Sequence, residues 1–224
     1  MRVLRFSIYP IIFFCAGVFF GCRSLPENVY QKNNNAQFSE SKRHLPLEKI
    51  NPITVRRVIE SANLQLETTK TYDPAYVVLD YPNGDVSPEK GVCTDVVVRA
   101  FRNAGVDLQK EVHEDMTANF SVYPKKWGLA RADANIDHRR VPNLQTFFTR
   151  RGKSLAITQN SEDYIPGDVV SWDLDNRGMT HIGLISNVWN EKTARYSIIH
   201  NIGGGAVLED AVFNWKITGH YRYF

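Results

Sequence analysis

An α+β fold, with helices first and an antiparallel sheet after them, follows from three features of the chain. Apolar residues recur at helical spacing through its middle, and the last third changes to short strand-like runs punctuated by turns. Between these, Gly91-Val92-Cys93-Thr94-Asp95 sets a cysteine at the first turn of a helix pattern.

The elements can be read in order. Residues 52–66 carry Val55, Val58, Ile59, Ala62 and Leu66 as one stripe, with Pro52 near the first turn. Residues 76–79 predict a short strand, and 80–85 a turn with Asn83-Gly84 as its punctuation. From Cys93 onward, Val96, Val97, Ala100, Phe101 and Ala104 keep helical spacing, and Gly105 is placed to end that helix in the left-handed conformation. Helices are expected over 108–119 and 141–150, the second with Pro142 near its start. Residues 123–127 and 137–140 read as loops, the latter a solvated one. Strands are predicted at 169–172, 181–185, 196–200 and 216–223.

Ahead of this domain, Arg2 and Arg5 precede an apolar run over 8–20 that closes on Gly21-Cys22. The run is short of the roughly 20 residues of a membrane-spanning helix and suits an export signal. Phe19 is too bulky for ordinary cleavage, whereas Gly21-Cys22 resembles a bacterial lipobox, even with Phe19 atypical there. Lipidation of Cys22 is therefore the preferred reading, with an uncleaved anchor or ordinary secretion as alternatives. Residues 23–49, with Asn33-Asn34-Asn35 and few apolar side chains, read as a disordered polar tether, leaving 50–224 as a single domain with a real core. The expected location is the cell envelope or periplasm, tied to the membrane through the N-terminal lipid. The formal charge of +3 loses both arginines with the signal, so nothing resembles the basic footprint of a nucleic-acid binder. A monomer is expected.

Of three cysteines, Cys15 and Cys22 fall in the signal, so Cys93 is left without a disulfide partner. At a helix start, free amides and the dipole favour a thiolate. A thiol nucleophile needs a base and a third group to orient it. If the 187–195 loop is symmetric about Asn190-Glu191, His181 lies opposite His200 on one sheet face. That reading depends on the register, because a one-residue slip would separate the two imidazoles. Asn201 and Asp173 are other candidates for the orienting residue. Tyr81, before the nucleophile helix, is a candidate oxyanion donor; its competing reading is a turn-packing aromatic. His138 and Arg139 are candidates for holding an acidic substrate group.

The order of a cysteine, a histidine on one strand and a polar residue on the next resembles NlpC-type papain-like cell-wall cysteine peptidases. Pro166-Gly167-Asp168-Val169-Val170 followed by Thr180-His181-Ile182-Gly183 is similar to their sheet signature. The resemblance implies a papain-like domain in which Cys93 is the nucleophile, His181 the base and His200 the orienting residue. Thr94 stands where that family has a small residue, and Asp95 follows it, a carboxylate expected to raise the thiol pKa unless the helix points it away. More closely, residues 71–223 resemble the bacterial domain-of-unknown-function family DUF1287. The stretches that carry this are Tyr72-Asp73-Pro74-Ala75-Tyr76, Gly91-Val92-Cys93-Thr94-Asp95, Asp137-His138-Arg139-Arg140-Val141-Pro142-Asn143 and Ile217-Thr218-Gly219-His220-Tyr221.

The expected function is that of a thiol amide hydrolase, a cysteine peptidase or amidase acting on peptidoglycan stem peptides and needing no cofactor or metal. The alternatives are a non-catalytic module binding peptidoglycan or a partner lipoprotein, a transferase or thioesterase using the same nucleophile, and a Zn²⁺ site built from Cys93 and two histidines. The zinc reading lacks any close-spaced ligand pair in the sequence.

Overall fold

A computed structural model describes residues 42–224. The export signal, Cys22 and most of the expected tether lie outside the described residues. The tether's end does not stay apart from the fold: β1 (Lys42–His44) pairs antiparallel with a longer strand. No helix among the described residues is long and apolar enough to cross a membrane.

Helix α1 (Ile53–Thr68) buries Val58, Ile59 and Ala62, the stripe its spacing predicts. Its buried Gln65 donates from Nε2 to the Val96 carbonyl at 3.0 Å, which ties it to the next helix. Strand β2 (Thr71–Tyr72) pairs in parallel with β3 (Lys90–Gly91), and β3 runs directly into α2 (Cys93–Asn103). The Asp95 carboxylate satisfies one of the free amides at that helix start, accepting from Val92 N–H at 2.7 Å. Gly105 ends the helix at φ +88°, a conformation that favours glycine. Helix α3 (Leu108–Ala118) is capped by Asp107, and α4 (Val141–Arg150) starts with Pro142 in its first turn.

The C-terminal part is the predicted sheet. Strands β4 (Val169–Asp173), β5 (Thr180–Asn190), β6 (Arg195–Asn201), β7 (Ala206–Glu209) and β8 (Lys216–Tyr221) are ordered β7-β6-β5-β4-β8, all antiparallel. The period-2 alternation of strands splits the core into two layers. Val169, Ile182, Leu184 and Ile199 meet Val96, Phe101, Leu144 and Phe148 on the helix side. Val170, Trp172, Ile185, Ile198 and Ile217 pack with Tyr164 and Val212 on the other. Each fully buried large side chain contributes about 1.5–3 kcal/mol by leaving water. The molecule is α+β, with N-terminal helices packed on a C-terminal antiparallel sheet.

Several expectations need correction. Residues 76–79 form no strand; Val78 is exposed, and Leu79 N–H donates to the Asn135 side chain rather than to a neighbouring strand. Strand β7 was not anticipated, because Ala206-Val207-Leu208-Glu209 is too short to show a period. Residues 137–140 are not a solvated loop: Asp137, His138 and Arg139 make a 3₁₀ turn and are buried. A run of charged residues conceals this, since burial depends on partners distant in sequence: Arg139 pairs with Asp95 and Asp137 with His113.

Candidate active site

Cys93 is the first residue of α2 and is 4 % exposed. Its local geometry is set by close packing of the neighbouring motif residues. A Cβ on Gly91 would come within 2.8 Å of Asp95 Oδ2, so the glycine lets the carboxylate fold back over the helix start. Asp95 is in turn gripped by Arg139, with Nε to Oδ1 and Nη2 to Oδ2 both at 3.0 Å. Arg139 also donates to the carbonyls of Ala75 at 2.9 Å and Asp73 at 3.1 Å. This bidentate buried pair locks the 73–75 segment against the start of α2. The guanidinium matches the Asp95 charge, yet Asp95 still adds to the rise of the thiol pKa, as the sequence led one to expect.

The thiol takes a hydrogen bond from the backbone N–H of Ile182, the residue after His181. Burial nevertheless pushes the Cys93 pKa up to about 12, with Asp95 adding to the rise and the Ile182 amide opposing it. The expectation that the helix start favours a thiolate is therefore corrected. Desolvation outweighs the dipole, and the unliganded protein holds a neutral thiol.

His181 is the second residue of β5, on the sheet face of Trp172, whose ring stacks on it at 5.8 Å. Its Nε2 lies 2.7 Å from His200 Nδ1, and His200 Nε2 lies 3.2 Å from Glu209 Oε2. Both imidazoles are buried, and Trp215 sits about 6 Å from each. Burial, and then the neighbouring His200, lowers the His181 pKa to about 3; burial also lowers His200, against the pull of Glu209. Thiol and base are thus both neutral at pH 7, and no hydrogen bond joins them directly.

The two histidines meet through a register other than the expected one. Leu184 faces Ile199 and Ile185 faces Ile198, two residues away from the pairing that sets His181 opposite His200. The turn lies beyond Asn190, which faces Arg195, and β5 bulges between Ile185 and Trp189. An offset of two keeps every side chain on its face, so the rings meet diagonally. The same register brings Gly183 against His200, and a Cβ there would come within 3.0 Å of His200 Cβ and 2.8 Å of Ile198 Cγ2.

The other candidates are placed elsewhere. Asn201 donates to the carbonyls of Gly91 at 2.9 Å and Thr71 at 3.3 Å, and Asp173 accepts from the amides of the turn after β4. Neither orients His181. His138 is 2 % exposed, with Nδ1 lacking a partner and its pKa lowered to about 3 by burial and by Arg139. Tyr81 is exposed and packs edge-on against His113 at 5.3 Å. Neither His138 nor Tyr81 lines the cavity of about 220 Å³ beside Cys93, which Tyr72, Trp127, Arg139, Arg140 and Thr180 help to form. Among the described residues, no group of three His, Cys, Asp or Glu side chains is placed to hold a metal ion.

Sequence reasoning missed Tyr72, Arg140 and Glu209 as site residues. Tyr72 lines the groove, and burial, with the Asp95 charge adding to it, pushes its phenol up to about 12. The stretch Tyr72-Asp73-Pro74 was a signal for it, whereas Glu209 gave none, because its strand was not read.

Cys93 opens a helix that packs on one face of an antiparallel sheet, and the His181–His200 pair lies on the sheet face of Trp172, so the chain is an α+β domain with a buried thiol and a buried histidine pair. The chain belongs to the family described as a domain of unknown function (DUF1287), whose model matches residues 59–223. It is 55% identical over 167 residues to the uncharacterized protein YijF of Escherichia coli (strain K12), covering 75% of this chain and 80% of that one. Among solved structures, NlpC1 from Trichomonas vaginalis is similar over 78% of this chain, at 14% identity and a TM-score of 0.41. This chain spans 45% of the length of that protein.

Proposed function

We propose that the protein is a thiol-dependent amide hydrolase of the bacterial cell envelope, exported and lipid-anchored through Cys22, that cleaves peptidoglycan stem peptides. The observation that carries this reading is the Glu209–His200–His181 line, ending beside the residue whose amide touches the Cys93 sulfur.

The line fixes tautomers, assigned here from the hydrogen-bond network. An ionised Glu209 only accepts, so His200 Nε2 carries the proton and His200 Nδ1 holds a lone pair. His181 must then donate from Nε2, which leaves its Nδ1 unprotonated and available as a base. With both groups neutral at rest, the thiol is activated only as it attacks. The reading requires that the imidazole come within reach of the sulfur when substrate binds, because in the free protein the two are linked only through the Ile182 amide.

Cys93 Sγ then bonds to the amide carbonyl carbon while its proton passes to His181 Nδ1. The imidazolium, stabilised through His200 by Glu209, returns that proton to the leaving amine as the C–N bond breaks. Neutral His181 next takes a proton from water as the water oxygen bonds to the thioester carbon; the C–S bond then breaks, the imidazolium returns the proton to the departing Cys93 sulfur, and a carboxylic acid is released. The developing oxyanion is met by the free amides of the first turn of α2 and by the Tyr72 hydroxyl, which its high pKa keeps as a donor.

The test is mass spectrometry of muropeptides incubated with residues 42–224, wild type beside Cys93→Ala and His181→Ala. New stem-peptide fragments are expected from wild type alone, with each variant slowed about a thousandfold or more. Equal binding of muropeptides by all three proteins without products would overturn the hydrolase and leave a binding module.

A further inference from the structure

We propose that the groove at Cys93 selects substrates bearing a free carboxylate near the scissile amide, and that Arg140, laid on Trp127, is the residue that reads it. The inference rests on the hydrolase reading and deepens it.

Two arginines line the groove, and their states differ. Arg139 is spent on Asp95 and on two backbone carbonyls. Arg140 has no such partners: its Nη1 is buried with no hydrogen-bond acceptor in the protein. Its guanidinium carbon sits over the Trp127 ring, 4.1 Å from the centroid, while its backbone carbonyl receives the Asn143 and Leu144 amides at the start of α4. Burial lowers its pKa, and Asp137 and Asp133 oppose that only through space.

A desolvated guanidinium nitrogen without an acceptor is costly, and a ligand that supplies one recovers the loss. A guanidinium held over an indole face keeps N–H donors to spare, and such a fork grips a carboxylate with two parallel hydrogen bonds. The fixed platform also removes most of the entropy cost of ordering a long side chain. A space of about 220 Å³ is the size of an amino-acid side chain rather than of a sugar chain, so the group read belongs to the peptide. Stem peptides carry free carboxylates on their branched acidic residues, and these can be converted synthetically to carboxamides.

The experiment uses synthetic stem peptides in matched pairs, with each free carboxylate replaced in turn by a carboxamide. Wild type is expected to prefer the free acid about 10- to 100-fold in kcat/KM at one position. In Arg140→Gln the acid-to-amide ratio collapses toward one, and Arg140→Lys restores part of it. Trp127→Leu, which removes the platform but keeps the charge, gives an intermediate ratio. Circular dichroism and thermal melts confirm that each variant is folded. The same pairs are titrated calorimetrically into Cys93→Ala, so the carboxylate site is read without turnover. Discrimination in binding with no cleavage by wild type would sink the hydrolase reading and leave this inference standing. Equal treatment of acid and amide by wild type and by Cys93→Ala would overturn it, as would an Arg140→Gln ratio unchanged from wild type.

Discussion

His181 and His138 are both almost fully buried, and in both burial drives the pKa to about 3. Their surroundings separate them. His181 passes one nitrogen to His200 and through it to Glu209. His138 has an unpartnered Nδ1, sits beside Arg139 and Arg102, and touches no line of proton donors and acceptors. A perturbed pKa thus marks burial in both places and chemistry only where the partners form a directed series. The same contrast divides the two adjacent arginines, one closing a structural lock and the other left open toward the groove.

The widest separation is expected at that lock. Arg139→Met leaves Asp95 as an unpaired buried carboxylate and should cost about 3–5 kcal/mol in urea unfolding. Replacing both partners, as Asp95→Leu with Arg139→Met, should recover part of that loss. A cost below about 1 kcal/mol for the single variant would show that the pair does not hold the nucleophile helix. The histidines give the next effect. Each is neutral in the fold and protonated in the unfolded chain between pH 6.5 and about 3, so the unfolded state binds more protons there. Stability is therefore fully present above pH 6.5 and is lost as pH falls toward 3, by at most about 1.4 kcal/mol per pH unit for each group. His138→Gln should flatten that slope by one proton in denaturation series across this range; an unchanged slope would remove His138 from the account.

Gly183→Ala sharpens the catalytic side. Its Cβ meets Ile198 Cγ2 and His200 Cβ, for an overpacking cost of about 1–3 kcal/mol, and it displaces the His200 ring. Turnover should fall further than a comparable substitution on the helix side of the core, such as Leu144→Met. The smallest effect belongs to Glu209→Gln, which keeps an acceptor but removes the charge facing the imidazolium. A decrease of about tenfold or less in kcat, with KM unchanged, is expected from steady-state kinetics. Loss of a thousandfold would make Glu209 an obligatory member of the site.

Much of this fold is local information. The stripe from Val96 to Ala104, the glycine at 105 and Pro142 near the start of a helix specify α2 and α4 within a residue or two, because side-chain periodicity and caps act over one turn. Strands β4, β5 and β6 were legible for the same reason, and the pairing of two histidines survived an incorrect register because the error was an even number of residues. Failures came where a partner distant in sequence decides. Residues 76–79 look like a strand until Asn135 takes the Leu79 amide, and Asp137-His138-Arg139 looks solvated until Asp95 takes the guanidinium.

The sequence by itself determined the layer order, the helix that begins at Cys93 and the sharing of one sheet face by His181 and His200. Tertiary structure alone decided the protonation of the thiol, since desolvation depends on what packs over the helix start and overrides the dipole that the sequence predicts. It also decided which charged residues are spent and which remain free: Asp95 and Arg139 cancel each other across 44 positions, and Arg140 is left on Trp127 with a donor to offer. Pairing between charges is a property of distance in space, and a linear sequence does not contain that distance.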